Sequence, residues 1–374
     1  MSEPPATPER IDLTRADDPR DVVHRAVACL AQGGVLALPT ETSYGLAAGA
    51  LHPDAVARLR RVKGPEAPVP LCVKGAEELA DWVPDVSALG RRLASRAWPG
   101  PVILVCHGAI DRGLVGHLPA AVRAAVAPDG AVGLRCPGHP ILREILRLVP
   151  GPLVLTGAHA EGQAPPAGPE PLLHRPELDM ILDDGPAAGG GCATAVRVDA
   201  EGWRVVRPGV VGADDLTRMS GTILLFVCTG NTCRSPMAEA LCKTLLAERL
   251  GCAPDELEGR GFVVLSAGLS AMSGAPAAAH AAEIVHARGG SLQHHASRRI
   301  THELVRHADL IVAMTRDHLD ALLYHVPEAA DRVRLLHAAG EDIDDPIGAD
   351  RDTYLHTARE IEEHLGHLLD ELGI

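Results

Sequence analysis

The stretch Cys228-Thr229-Gly230-Asn231-Thr232-Cys233-Arg234-Ser235-Pro236 sets a thiol, a guanidinium and a hydroxyl close together in the chain. An apolar run at 223–228 precedes it, and a helical pattern over about 236–250 follows. A compact loop between a strand and a helix aims its amide N–H groups at an anion, and the helix dipole adds positive potential. The same field favours thiolate over thiol at Cys228, which is the nucleophilic form. Arg234 presents a planar fork matched to two phosphate oxygens. Ser235 can donate a hydrogen bond to the sulfur, and Asn231 can hold the backbone of the loop. The chemistry of such a set is attack of sulfur on phosphorus.

Context separates this stretch from chance. With 9 cysteines and 32 arginines in 374 residues, a bare Cys-x5-Arg match is expected about 0.8 times. A second match, Cys106 to Arg112, has nothing around it that supports chemistry, and Cys106 reads as an ordinary strand cysteine.

The elements that must position these residues follow from the apolar pattern. In the first part of the chain, 35–38, 71–73, 102–105, 132–134 and 153–155 read as strands, and 54–63, 87–97 and 140–148 as helices. Residues 165–186 are proline-rich and read as a surface excursion. Strand-like segments at 193–198 and 203–206 form a late pair. Near 216–221 the pattern restarts. Strands at 223–228, 263–265, 310–313 and 333–336 alternate with helical stretches, and 352–372 closes the chain as an amphipathic helix. That alternation predicts a parallel sheet covered by helices. A length of 374 residues and 46% hydrophobic residues fit two globular α/β domains. The expected division is a disordered leader at 1–19, a first domain at 20–215 and a second at 216–374.

The net charge of −14 divides into −4 over residues 1–220 and −10 over 221–374. Neither part offers the basic surface that nucleic-acid binding needs. No CxxC pair occurs, the 19 histidines show no zinc spacing, and His294-His295 reads as a surface pair, so no metal site is expected. No apolar run approaches a membrane span and the first ten residues lack signal-peptide features, which predicts a cytoplasmic protein with reduced thiols.

The stretch from Phe226 to Glu239, together with Ser266-Ala267-Gly268, 295–301, 309–315 and Asp345-Pro346, resembles the low-molecular-weight protein phosphatases in the same order. The resemblance implies Asp345 as general acid, a cysteinyl-phosphate intermediate, a phosphorylated protein as substrate and no cofactor. An Asp-Pro on a loop suits an acid, because proline limits how the carboxyl is placed. Cys233 has two readings: simple packing within the loop, or, as the resemblance implies, a second loop cysteine that forms a reversible disulfide with the nucleophile. Ile347-Gly348 follows Asp345-Pro346, so the aromatic wall of the tyrosine-specific members is missing. Members acting on phosphoarginine carry the same Cys-Thr-Gly-Asn-Thr-Cys-Arg-Ser-Pro loop, with the threonine equivalent to Thr232 implicated in selectivity. Phosphoarginine is therefore the expected substrate and phosphotyrosine the runner-up. Ile347 departs from the phenylalanine common in the arginine-type members.

The first domain resembles the YrdC-like family of threonylcarbamoyl-AMP synthases. The resemblance rests on 38–46, Lys63-Gly64 leading to Pro70-Leu71, 98–101, Leu134-Arg135-Cys136-Pro137 with His139-Pro140, and Val206-Arg207-Pro208-Gly209. It implies a twisted α/β sheet with a cleft for ATP, threonine and bicarbonate, lined by Thr40, Lys63, Arg135, Thr156 and Arg207. Two departures point to a degenerate synthase. The Lys-x-Arg of that family is Lys63-Gly64-Pro65 here, and its Ser-x-Asn is replaced by Thr156-Gly157-Ala158-His159. Proline restores none of the contacts of a fixed guanidinium. The expected role of this domain is to bind a nucleotide or small metabolite, or to position the protein substrate; ATP with Mg enters only if it is active. The competing expectation is a bifunctional enzyme in which His159 replaces the asparagine as donor.

Overall fold

The computed structural model describes residues 7–64, 67–160, 162–187, 189–199 and 201–374. Pro65 and the first six residues of the expected leader lie outside them. The chain divides into two compact units, Met1–Met219 and Ser220–Ile374.

In the first unit the strands are β1 (Glu9–Asp12), β2 (Val35–Pro39), β3 (Tyr44–Gly49), β4 (Leu71–Cys72), β5 (Val102–His107), β6 (Ala131–Arg135), β7 (Leu153–Gly157), β8 (Met180–Asp183), β9 (Thr194–Val198) and β10 (Trp203–Arg207). They form one mixed sheet in the order β1-β8-β2-β3-β7-β4-β6-β5-β9-β10. β2 and β3 are buried along their whole length because both faces of the sheet are covered. The side-chain period of two then splits them between two cores. Val35, Ala37, Tyr44, Leu46 and Ala48 join the core under helices Pro53–Lys63 and Ala88–Ala97. Leu36, Leu38 and Ala47 join the core under helices Pro19–Ala31 and Pro140–Leu148.

Two expectations fail here, for one reason. Glu9–Asp12, placed in the leader, is a strand paired in parallel with β8, and the Arg10 guanidinium bonds the buried Asp183 carboxylate. Met180–Asp183, placed in the surface excursion, is fully buried and pairs with both β1 and β2. Each segment is a strand only because a partner distant in sequence supplies its ladder, and the prolines around 165–186 hide the second one. The helix at 213–220 also shifts the boundary. Leu216 is fully buried in the core of the first unit, so residues 216–219 belong there and not with the second.

The second unit is a four-stranded, all-parallel sheet of β11 (Thr222–Cys228), β12 (Phe262–Gly268), β13 (Leu310–Ala313) and β14 (Val333–Leu335), in the order β12-β11-β13-β14. Along β11, Leu225 and Val227 face one core. Leu224, Phe226 and Cys228 face the other, with Met237 and Leu241 of helix Arg234–Leu250 and Ile361 and Leu365 of helix Arg351–Glu371. Strand alternation therefore delivers the Cys228 sulfur to the face on which the Arg234–Leu250 helix begins. Among the described residues, no helix is long and apolar enough to cross a membrane.

Candidate active site

Residues 229–233 cross from the end of β11 to the start of helix Arg234–Leu250. What shapes this loop is where its carbonyls go. Leu269 N donates to Cys228 O (2.9 Å), Ser270 N to Thr229 O (2.9 Å), Ala278 N to Thr232 O (2.9 Å), and His295 Nε2 lies 2.8 Å from Asn231 O. With its carbonyls drawn outward, the loop turns its N–H groups inward, as a nest for an anion does. Gly268 permits the close approach: a Cβ there would lie 2.6 Å from Thr229 O and 2.9 Å from Asn231 N.

Asn231 is the hinge of the loop, at φ 54° and fully buried. Its side chain stabilises that left-handed turn. Nδ2 donates to Ser235 Oγ (3.0 Å) and Ser266 Oγ (2.8 Å), and Oδ1 accepts from Arg298 N (2.8 Å). Ser266 in turn donates to Glu239 (2.6 Å), which Lys243 holds from one turn further along the helix. Cys228 Sγ lies 2.9 Å from Ser235 Oγ and accepts from Asn231 N at 3.2 Å. The sulfur therefore has a hydroxyl and an amide as neighbours, the partners a thiolate nucleophile needs.

Arg234 opens the helix with its guanidinium buried. Nη1 donates to Ile343 O (3.0 Å) and Nη2 to Asp345 Oδ2 (2.5 Å). Asp345 also accepts from Ile347 N (3.2 Å), and Ile347 is 67% exposed. Cys233 Sγ meets the Tyr354 hydroxyl at 3.1 Å, and burial and that contact push the Tyr354 phenol up. Thr232 Oγ1 is 3.7 Å from Cys233 Sγ. All of the sequence-predicted phosphatase residues, Cys228 to Ser235 with Asp345, thus meet at one loop.

One participant was not anticipated. His318 is buried, with Nε2 2.8 Å from Thr229 Oγ1 and Nδ1 2.8 Å from Thr315 Oγ1. Burial and the Arg234 charge hold its pKa below the ordinary 6.5. The local signal was Thr315, whose hydroxyl caps helix Arg316–His325 by accepting from His318 N.

In the first unit, Thr40, Lys63, Arg135, Thr156 and Arg207 line one cleft with Thr42, Ser43, His159 and Cys192. The cleft adjoins a cavity of about 530 Å³ that shares Lys63, His159, Cys192 and Arg207. Several of these side chains are committed to the protein itself. Thr40 Oγ1 closes its own turn onto Ser43 O (2.6 Å). Arg135 is held by Glu41 (2.7 Å), and Arg207 Nη2 donates to Ala193 O (3.2 Å). Thr194 is buried against the backbone of Val211. His159 folds over Gly157, with Nε2 3.9 Å from Cys192 Sγ. Burial and the charges of Lys63 and Arg207 lower its pKa, so the cleft holds a neutral imidazole. Cys106, the decoy, is a buried β5 thiol pushed up to about 12 by burial.

Comparison with known proteins agrees with the two units. Residues 28–209 match the Sua5–YciO–YrdC family, described as telomere recombination, and residues 223–373 match the low molecular weight phosphotyrosine protein phosphatase family. A protein-arginine-phosphatase of Bacillus subtilis is 40% identical over 153 residues, which is 40% of this chain and 95% of that protein. A Mycobacterium tuberculosis protein with a provisional name of threonylcarbamoyl-AMP synthase is 30% identical over 200 residues, 52% of this chain and 88% of its own. The chain belongs to both families. Its second unit is a low-molecular-weight phosphatase domain, a hydrolase, and its first a Sua5/YrdC domain. A further relative of the phosphatase domain is the low molecular weight protein-tyrosine-phosphatase Etp of Escherichia coli, 36% identical over 135 residues, 36% of this chain and 82% of that protein.

Proposed function

We propose that the phosphatase domain hydrolyses phosphoarginine on proteins, in the cytoplasm and without a cofactor. The carrying observation is the sulfur of Cys228, set in an inward-facing amide loop between Ser235 Oγ and Asn231 N. Cys228 attacks phosphorus, Arg234 and the loop amides of 229–233 hold the phosphoryl oxygens, and the P–N bond breaks. Asp345, in its protonated form, gives its proton to the departing guanidine nitrogen. Water then attacks the cysteinyl-phosphate, Asp345 takes its proton, and the thiolate leaves with inorganic phosphate as product. Thr232 supports arginine as the target, since a hydroxyl beside the phosphate can bond a guanidinium and gives a flat ring nothing. The relative named protein-arginine-phosphatase supports the same reading.

Phosphotyrosine is the second reading, favoured by the Etp relative. Phosphate release from matched phosphoarginine and phosphotyrosine peptides, with Cys228→Ser as control, decides between them. Preference for phosphoarginine should fall roughly tenfold in Thr232→Ile, as loss of one hydrogen bond to a charged group implies. Equal turnover of phosphoarginine by wild type and Thr232→Ile would remove Thr232 from the role.

For the Sua5/YrdC domain we propose a binding cleft for a nucleotide or small metabolite without synthase turnover. Thr40, Arg135 and Arg207 are committed to the protein's own groups, and His159 stands where a donor pair is expected. The bifunctional alternative predicts pyrophosphate release from ATP with Mg, threonine and bicarbonate, together with a rise in melting temperature with ATP. Robust pyrophosphate release would overturn the non-catalytic reading.

A further inference from the structure

His337, Glu360 and His364 converge on the phosphatase domain, each offering one ligating atom within 4.8 Å of the others. Glu360 and His364 lie four residues apart on helix Arg351–Glu371, the spacing that puts two ligands on one helix face. His337 comes from the segment that follows β14, and its ring centroid is 4.0 Å from that of His364. Backbone N–H groups face the Nδ1 atoms: Ala339 N is 3.2 Å from His337 Nδ1, and Ala338 N is 3.4 Å from His364 Nδ1. With Nδ1 accepting, each neutral ring carries its proton on Nε2, so an ion at Nε2 requires the other tautomer. His337 Nε2 already lies 3.7 Å from a fourth donor, Glu341 Oε2.

We infer that these residues form a binding site for a divalent transition metal. Two imidazoles and one or two carboxylates suit Zn²⁺, Co²⁺ or Ni²⁺ rather than the oxygen-only cations Mg²⁺ and Ca²⁺. On loading at Nε2, each ring proton must move to Nδ1, so that the three backbone N–H contacts there, Glu341 N to His337 Nδ1 being the third, are given up for two coordination bonds and no net proton is released by the rings. The site ties two parts of the chain together. His337 begins the segment that reaches Asp345, and Glu360 and His364 belong to the helix that also carries Tyr354, the partner of Cys233. The ion would fix the segment bearing the proposed acid against that helix. Sequence spacing pointed to no metal because the third ligand comes from a separate segment, which only the tertiary fold brings to the Glu360–His364 pair.

The test is titration of the untagged full-length protein with Co²⁺, followed by absorbance. One equivalent should bind with weak visible bands and no near-ultraviolet thiolate charge-transfer band, since the proposed ligands are nitrogen and oxygen. His337→Ala and His364→Ala should each weaken that binding by at least about tenfold, since losing a direct ligand costs no less than losing an outer-shell partner. Metal-free melting temperatures of the two variants, close to that of wild type, show that they fold. Unchanged Co²⁺ affinity in both variants overturns the site, as does wild type that binds no Co²⁺. A charge-transfer band that disappears in Cys228→Ser also overturns it, because the metal would then sit on the loop thiols.

Discussion

Arg234 Nη2 lies 2.5 Å from Asp345 Oδ2, so the guanidinium proposed to clamp phosphate is already joined to the side chain proposed as the general acid. The second nitrogen, Nη1, is held by Ile343 O and fixes the plane of the fork. One ion pair thus joins the two residues directly.

Asp345→Asn keeps an acceptor for Arg234 and removes the proton. In single-turnover kinetics, release of the leaving group from a phosphopeptide should slow by about 10²–10⁴-fold. Release of p-nitrophenolate, which departs without a proton, should slow far less. Equal losses with the two substrates would take the acid role away from Asp345.

Asn231 combines a left-handed backbone with three side-chain hydrogen bonds in a buried site. Asn231→Ala loses the bonds and strains the backbone, and should destabilise the phosphatase domain by roughly 3 kcal/mol. Asn231→Gly relieves the strain alone and should be less damaging. Urea unfolding of both variants checks the order, and a more stable alanine variant would show that the turn is not strained.

Gly268→Ala places a methyl group 2.6 Å from Thr229 O, a backbone atom that cannot step aside without moving the loop. A displacement of about 1 Å there should lower kcat on the order of 10²-fold while the domain stays folded. Circular dichroism and phosphate release on the same sample give both halves of that result. Undiminished turnover would mean that the loop tolerates the shift.

His318 is neutral in the folded protein at neutral pH, because burial and Arg234 hold its pKa below 6.5. The unfolded chain binds a proton there first as pH falls, so this group's contribution is intact above about 6.5 and declines below it. Wild type should lose more stability between pH 7.5 and 5.5 than His318→Gln, as measured by urea midpoints. Parallel losses would place the acid-sensitive group elsewhere.

The two units differ in how readable they were. The loop from Cys228 to Ser235 could be found in the sequence because strand, loop and helix are contiguous, and each residue's task is set by neighbours within a few positions. The all-parallel second sheet was equally legible from its regular alternation of apolar runs and helices. β1 and β8 were not, since each short segment finds its ladder only on partners distant in sequence, β1 on β8 and β8 on β1 and β2. His318 escaped notice because its partner, Thr229, is 89 residues away in the chain, on the loop after the neighbouring strand β11.

Sequence alone determined the two α/β domains, the strand–loop–helix that carries Cys228 and Arg234, and the departure from the YrdC-type donor pattern at Thr156 and His159. Those properties depend on residue type and short-range order, which the chain carries locally. Tertiary structure decided the rest: the pairing of Arg234 with Asp345, the outward turn of the loop carbonyls, the commitment of Arg135 to Glu41, and the meeting of His337 with Glu360 and His364. Each of these is a contact between segments far apart in the chain, and its geometry exists only once packed sheets and helices fix the distance between them.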